Sequence, residues 1–424
     1  MNEIYLRNTI LRLCLQPRSF EYISKNLHGL DPIEAIRILK EMEDKDELSY
    51  VDNLWTFKDN SQITPGLFNV LEPTKSYLQK YMGYFDFLKT PHPLDFEWRN
   101  SFFSLKNLLN KLTSLINPDD KLLFLGMPTL FATAILNDIP NSISLIERNS
   151  PIIEGLKRIN TDSKRFKIVE DNIFTISPSL LSEYYCVMMD PPWYTEHFFQ
   201  FMWLAAKSVA VGGIIAISLP PINTRPDIMD ERLDWFSFCN NLGLCIETIE
   251  PQQLHYSMPF FEFNAFRAAG IDQILPFWRK GDLAIFRKIK DIVVERPTHK
   301  AIESKWLERE YKSSRIRIKV EDTKQEKIEE IIIEPLIKGD ILPTVSSRDQ
   351  RRDGANIWTS GNRIFFTNNP ISLILALDKI LKEGKLNDDE LKIKEFFDHI
   401  GELERKEFND YLDWIYYEME RQAN

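Results

Sequence analysis

The chain of 424 residues carries 53 Lys and Arg against 63 Asp and Glu, a formal net charge of −10, and is 43% hydrophobic. That size suits two to three domains with cores of their own, and the acid excess leaves a nucleic-acid partner only through a local basic patch. No apolar stretch reaches the roughly 18 residues of a membrane span, no basic leader precedes an apolar core, and Cys14, Cys186, Cys239 and Cys245 lack Cys-x-x-Cys spacing, which together predict a cytoplasmic protein with buried, reduced thiols and no metal site.

Residues 1–60 have the pattern of a winged-helix domain. Helix-like segments cover 2–15 and 19–27, and Asp31 caps a third that runs to about residue 42 with Ile33, Ile36, Ile38 and Leu39 mostly on one face. Residues 48–57 alternate around Asp52-Asn53 as a hairpin wing. This segment holds eight basic against eleven acidic residues, and the third helix ends among Glu41, Glu43, Asp44, Asp46 and Glu47. Phosphate would be repelled there, so dimerisation or protein docking is expected ahead of DNA reading.

Residues 61–115 are expected to be a helical linker, with an aromatic helix over 73–88 (Tyr77, Tyr81, Tyr84, Phe85, Phe87). The following segment, His92 through Arg99, is placed to lie over a cleft as a lid or to pack between domains. Asp95 and Arg99 are its candidate substrate contacts.

Residues 116–290 alternate strand-like and helix-like runs at the spacing of a doubly wound α/β sheet. The predicted strands are 121–125, 142–146, 166–169, 186–189, 213–219, 244–249 and 282–287. The turn after the first, Gly126-Met127-Pro128-Thr129-Leu130, has one glycine and no Gly-x-Gly fingerprint, which argues against a dinucleotide enzyme.

The fourth strand runs into Asp190-Pro191-Pro192-Trp193, the most informative tetrapeptide in the chain. An amine such as adenine N6 is a poor nucleophile because its lone pair is delocalised, so a catalyst must accept its N–H hydrogens and hold the nitrogen closer to tetrahedral. A carboxylate at 190 and the carbonyl of Pro191 suit that task, since each proline fixes φ near about −65° and removes a competing donor. Trp193 offers a flat face for stacking, and Tyr194 follows it. A proline-rich surface turn is the plain alternative.

Further along, residues 220–226 form a constrained loop with Asn223 and Arg225 as candidate substrate contacts. The aromatic stretch 255–264 contributes Tyr256 and Phe261, either to receive an unpaired base or as core. His197 lies past the active loop and reads as structural. Residues 291–424 are expected to form an α+β domain for partner or substrate binding. It has an edge strand over 315–319, an arginine-bearing loop with Arg348, Arg351 and Arg352 for nucleic acid, and helices over 372–381 and 388–421 for packing or a partner.

Seven strands with the chemistry after the fourth resemble the class I methyltransferase plan, a Rossmann-like sheet. A Gly-x-Pro-Thr-Leu turn, an acid after the second strand and an Asp-Pro-Pro-aromatic loop together are similar to the N6-adenine methyltransferase-like family over about residues 95–290. The Asp-Pro-Pro-Trp form is similar to the messenger-RNA adenosine methyltransferases. That resemblance implies S-adenosyl-L-methionine as cofactor. It places Gly126, Met127 and Pro128 beside the methionine part, Glu147 on the ribose, and Asp171 and Asn172 on the adenine. A second resemblance is to the branched-chain polyamine synthases, which join a winged helix and linker to the same sheet and transfer aminopropyl. Their first turn resembles Gly-Asp-Asp-Asp, whereas this chain has Gly126-Met127-Pro128-Thr129.

The leading expectation is therefore N-methylation of adenine N6 in DNA or RNA. The alternatives are aminopropyl transfer to polyamines, lysine methylation of a protein, and an inactive scaffold. A protein partner or second copy would dock through either terminal domain.

Overall fold

Three β-sheets follow one another along the chain in the computed structural model, which describes residues 2–58, 85, 87–95, 97–181, 183–291, 293–298, 305–320 and 331–423. The predicted aromatic helix over 73–88 lies outside the described residues except for 85, 87 and 88.

The first unit contains α1 (Asn2–Leu13), β1 (Arg18–Ser19), α2 (Phe20–Lys25), α3 (Pro32–Asp44), β2 (Leu48–Val51) and β3 (Leu54–Phe57), with strand order β1-β3-β2. Ser19 and Asp31 cap α2 and α3 by accepting from Tyr22 N and Ile33 N, and Pro32 sits in the first turn of α3. Asp52 and Asn53 both take positive φ, as a two-residue hairpin turn requires. Arg37, on the outward side of α3, is bonded to Glu34 and Glu41. The core of this unit continues from Ile23, Leu39 and Trp55 into Phe263, Phe266 and Trp278 of the central region, so the unit is packed onto that region.

The central unit comprises α4 (Phe102–Ser114), β4 (Leu122–Leu125), α5 (Pro128–Leu136), β5 (Ile143–Glu147), α6 (Ser150–Ile159), β6 (Phe166–Glu170), β7 (Tyr184–Met189), α7 (Thr195–Ser208), β8 (Val209–Leu219), α8 (Ile228–Asn241), β9 (Leu244–His255), α9 (Phe260–Ala268) and β10 (Lys280–Lys288). Its seven strands lie in the order β6-β5-β4-β7-β8-β10-β9, with β10 antiparallel to both neighbours. Strand β4 shows why the run is apolar throughout: Leu122 and Phe124 enter one core layer, Leu123 and Leu125 the other. Strand order reverses between β4 and β7, which opens a crevice at their carboxyl ends. The sixth strand is longer than expected and carries the chain to His255. At its edge position Cys245 is exposed, which corrects the expectation that all four thiols are buried.

The third sheet holds β11 (Lys305–Tyr311), β12 (Ser314–Val320), β13 (Ile333–Pro335), β14 (Ile357–Thr359) and β15 (Ile364–Thr367) in the order β11-β12-β14-β15-β13, packed by α10 (Pro370–Leu381) and α11 (Asp388–Ala423). The predicted edge strand is β12, and it lies inside the sheet between β11 and β14. Its Arg315 and Arg317 are bonded to Asp95 and Glu308 instead of reaching solvent. No helix among the described residues is long and apolar enough to cross a membrane.

Candidate active site

Strand β7 is apolar from Tyr184 to Met189, so Asp190 is the first charged group to emerge at the crevice. Tyr194 N–H donates to the Pro192 carbonyl at 2.7 Å, closing the proline loop into a tight turn. The Asp190 carboxylate faces a cleft of about 260 Å³ that Gly126, Met127, Pro128, Pro191, Pro192, Trp193 and Tyr194 also line.

Two neighbours hold that carboxylate. Tyr256 Oη donates to Asp190 Oδ1 at 2.9 Å, and Asn100 Nδ2 donates to Oδ2 at 3.4 Å. The phenol is itself 2.6 Å from Ser218 Oγ, which accepts from Trp193 Nε1 at 3.3 Å. Asn100 reaches the site because residues 99–101 bridge to 255–257: Ser101 N donates to His255 O and Ser257 N to Arg99 O. Asn100 is 2% exposed and its Oδ1 has no partner among the described residues. Burial pushes the Asp190 carboxyl up to about 6, although bonds from Tyr256, Ser218 and Asn100 pull it down. Burial and the adjacent Asp190 charge push Tyr256 well above the usual phenol range, so it stays a donor.

Gly126, Glu147, Asp171 and Asn172 lie at or just after the ends of β4, β5 and β6. Gly126 follows β4 with φ +64, and its N–H donates to Ile146 O. Met127 precedes α5 and gives that helix no side-chain cap. Glu147 Oε1 accepts from the N–H groups of Arg148 and Asn149 at 2.8 and 2.9 Å. Burial raises its carboxyl to about 7, and the nearby Glu97 charge adds to the rise. Asp171 accepts from Asn172 N, and Asn172 from Phe174 N. None of these three side chains lines the cleft.

Tyr256, Arg225 and Arg348 line the cleft as well. Arg225 is bonded to Glu231, and Arg348 lies 3.7 Å from the same carboxylate. Tyr194 Oη meets Ser347 Oγ of the arginine loop, so the C-terminal unit forms part of the wall. Trp193 stands edge-on to Tyr256, at 5.7 Å between ring centroids, and the Arg279 guanidinium lies 6.0 Å from its ring.

Other candidates lie elsewhere. Asn223 is buried, and its Nδ2 donates to Leu27 O while its N–H donates to His28 O, so it fastens the first unit to the central one. Phe261 is 0% exposed and packs edge-on against Trp98, because residues 260–268 form a helix whose aromatic face is core. Arg351 is bonded to Asp349, and Arg352 covers the Trp358 ring at 4.7 Å; neither lines the cleft. Asp95 is held by Arg315 and Arg317. Arg99 does line the cleft and is bonded to Glu97 at 2.8 Å. His197 packs against Phe174 and Tyr194. The sequence reading missed Asp31, Glu97, Asn100, Ser218 and Arg279. Only Ser218 carried a local signal, as the penultimate residue of a predicted strand.

No protein-family model matches this chain, and no curated protein matches it. Among solved structures it is similar to the branched-chain polyamine synthase of Thermus thermophilus in complex with N4-aminopropylspermidine and 5'-methylthioadenosine, at TM-score 0.55 and 10% identity over 70% of this chain and 93% of that one. The C9 mutein of that synthase gives TM-score 0.55 and 10% identity over 68% and 88%. A TehB-like SAM-dependent methyltransferase from Corynebacterium glutamicum matches at TM-score 0.30 and 10% identity, over 44% of this chain and 87% of that one. Together with the strand order, the first two likenesses show the fold: a seven-stranded, class I methyltransferase-type Rossmann sheet flanked by N-terminal and C-terminal additions.

Proposed function

We propose that this chain is an S-adenosyl-L-methionine-dependent N-methyltransferase acting on an amino nitrogen held between Asp190 and Asn100. The observation that carries the reading is the pairing of a carboxylate with an unpartnered, buried amide oxygen in one cleft. An amine offers N–H hydrogens to two such acceptors and keeps its lone pair directed away from them. The Pro192 carbonyl is taken by Tyr194 N–H, which leaves the Pro191 carbonyl as a third acceptor in the loop.

The residues present fit the methyl donor. Gly126 lets the backbone pass close, and the N–H groups opening α5, uncapped by any side chain, suit the methionine carboxylate. Glu147 would hold the ribose and Asp171 the adenine amine. When bound, the donor supplies an electrophilic methyl on a sulfonium. The chain's own part is to orient the nitrogen in line, exclude water and accept at Asp190 the hydrogen bond of an amine that has lost its extra proton to solvent before its lone pair attacks.

The lining favours an aliphatic amine over a base within nucleic acid. Of the four cleft arginines, Arg99 is bonded to Glu97 and Arg279 to Glu262, while Arg225 and the exposed Arg348 share Glu231, so acids offset most of the positive charge a phosphate track needs. Adenine N6 is the second reading, favoured by the Trp193 face that lines the cleft beside Asp190.

Calorimetric titration with S-adenosylmethionine, followed by radiolabel transfer to spermidine, a lysine peptide and an adenine oligonucleotide, tests this. Binding with transfer to spermidine or the lysine peptide, lowered about 100-fold in Asp190→Asn, is expected. Transfer to the oligonucleotide alone would establish the adenine reading, and preference for the decarboxylated donor would mean aminopropyl transfer. If neither donor binds, the proposal is wrong.

A further inference from the structure

Asp31 lies in the first unit, yet it lines the same cleft as Asp190. The segment that carries it is fastened tightly. His28 and Gly29 take φ of +50 and +85, and a Cβ on Gly29 would come within 2.9 Å of Pro221 Cβ and Thr224 Oγ1. Asn223 bonds to the carbonyls of Leu27 and His28, and Gln252 Nε2 meets His28 Nδ1 at 3.0 Å. A unit built only to read nucleic acid would not need its α2–α3 turn locked into the rim of a catalytic cleft.

The Asp31 side chain accepts from Ile33 N at 2.8 Å; the Arg279 guanidinium of the same cleft acts on its charge from a distance but is bonded to Glu262. Among the described residues, Glu97 is bonded to Arg99 through Oε1 only. The buried Asn100 oxygen without a donor independently marks this cleft as a site awaiting N–H groups.

We propose that Asp31 forms a second cation subsite, which binds a positively charged nitrogen of the acceptor while Asp190 holds the reacting one. The acceptor is thus at least a diamine, and the N-terminal unit selects it. This rests on the amine reading above.

Asp31→Asn is an unusually clean test, because asparagine caps a helix as well as aspartate and removes only the charge. Spermidine and butylamine are titrated into the full chain, wild type and variant, and methyl transfer to both is measured. Spermidine binding should weaken about tenfold in Asp31→Asn, with KM rising in parallel, kcat little changed and butylamine unaffected. Equal spermidine affinity in the two proteins, equal losses for butylamine, or no spermidine binding to wild type would each overturn the subsite. Asp31-dependent spermidine binding without methyl transfer would leave the subsite standing and remove the methyltransferase reading. Transfer to spermidine that ignores Asp31→Asn would do the reverse.

Discussion

Tyr256 donates to Oδ1 of Asp190 at 2.9 Å, joining the residue after β9 to the residue after β7 across the mouth of the sheet. The bond lowers the Asp190 carboxyl against the effect of burial, which sets it at about 6. Asp190 must be ionised to accept from an amine, so kcat should rise through about pH 6. Tyr256→Phe removes the donor, which raises the carboxyl further. The rising limb should then move to higher pH and kcat at pH 7 fall about tenfold, with donor affinity unchanged. A uniform loss at all pH values would mean that the phenol serves packing alone.

Asp190 should weaken the fold that displays it. Its folded-state value of about 6 lies above the ordinary carboxylate value of 3.8, so the native state binds the extra proton between them. The cost is absent below pH 4 or so, grows as pH rises and is complete above about 6. Asp190→Asn should therefore lose about 100-fold in activity but be more stable at pH 8, by about 1–3 kcal/mol, with the gain shrinking toward acid pH. Urea unfolding at pH 4 and pH 8 measures this.

On the proposed donor site, Glu147 should make donor affinity depend on pH. Burial first, then the Glu97 charge, raises its carboxyl to about 7, and only the ionised form accepts from both ribose hydroxyls. Calorimetry should show S-adenosylmethionine binding tightening from pH 6 to 8. Glu97→Gln removes the like charge, so the midpoint should move to lower pH. A flat profile would mean that Glu147 does not meet the donor.

Legibility followed the range of the interactions. The strand-end positions of Asp190 and Glu147 could be read because a parallel strand is a short apolar run and its end is marked by the first acid; at β6 that first acid is Glu170, with Asp171 next to it. Asn100 could not, since its place depends on a bridge to Tyr256 that no local pattern encodes. Asp31 looked like a helix cap and is one; its second position, in the cleft wall, comes from docking between units. Alternation misled at Arg315 and Arg317, because charged residues facing buried acids have the same period as charged residues facing water. Phe261 misled for a related reason: aromatic density does not say which face of a helix is covered.

That arginine cluster is itself open to test. Asp95 is clamped by Arg315 and Arg317, which also share Glu308, and His92 N donates to Asp95 Oδ2. Burial alone would push the Asp95 carboxyl up; Arg317 and Arg315 overcome it and hold the group below the usual range. Because the folded-state value is depressed, the stabilisation is full above the ordinary carboxylate value and is lost as pH falls through the folded one. Asp95→Asn leaves two buried guanidinium groups with Glu308 as their one acidic partner among the described residues, at a cost of about 3 kcal/mol at pH 7. The loss should fall on the docking of the third sheet, read as faster proteolysis near residues 305–320, and should narrow in strong acid. Since loop 345–348 reaches the cleft from that same unit, the KM of the acceptor should rise in Asp95→Asn while donor affinity holds. A variant as stable as wild type at pH 7 would show that the clamp contributes no net stability.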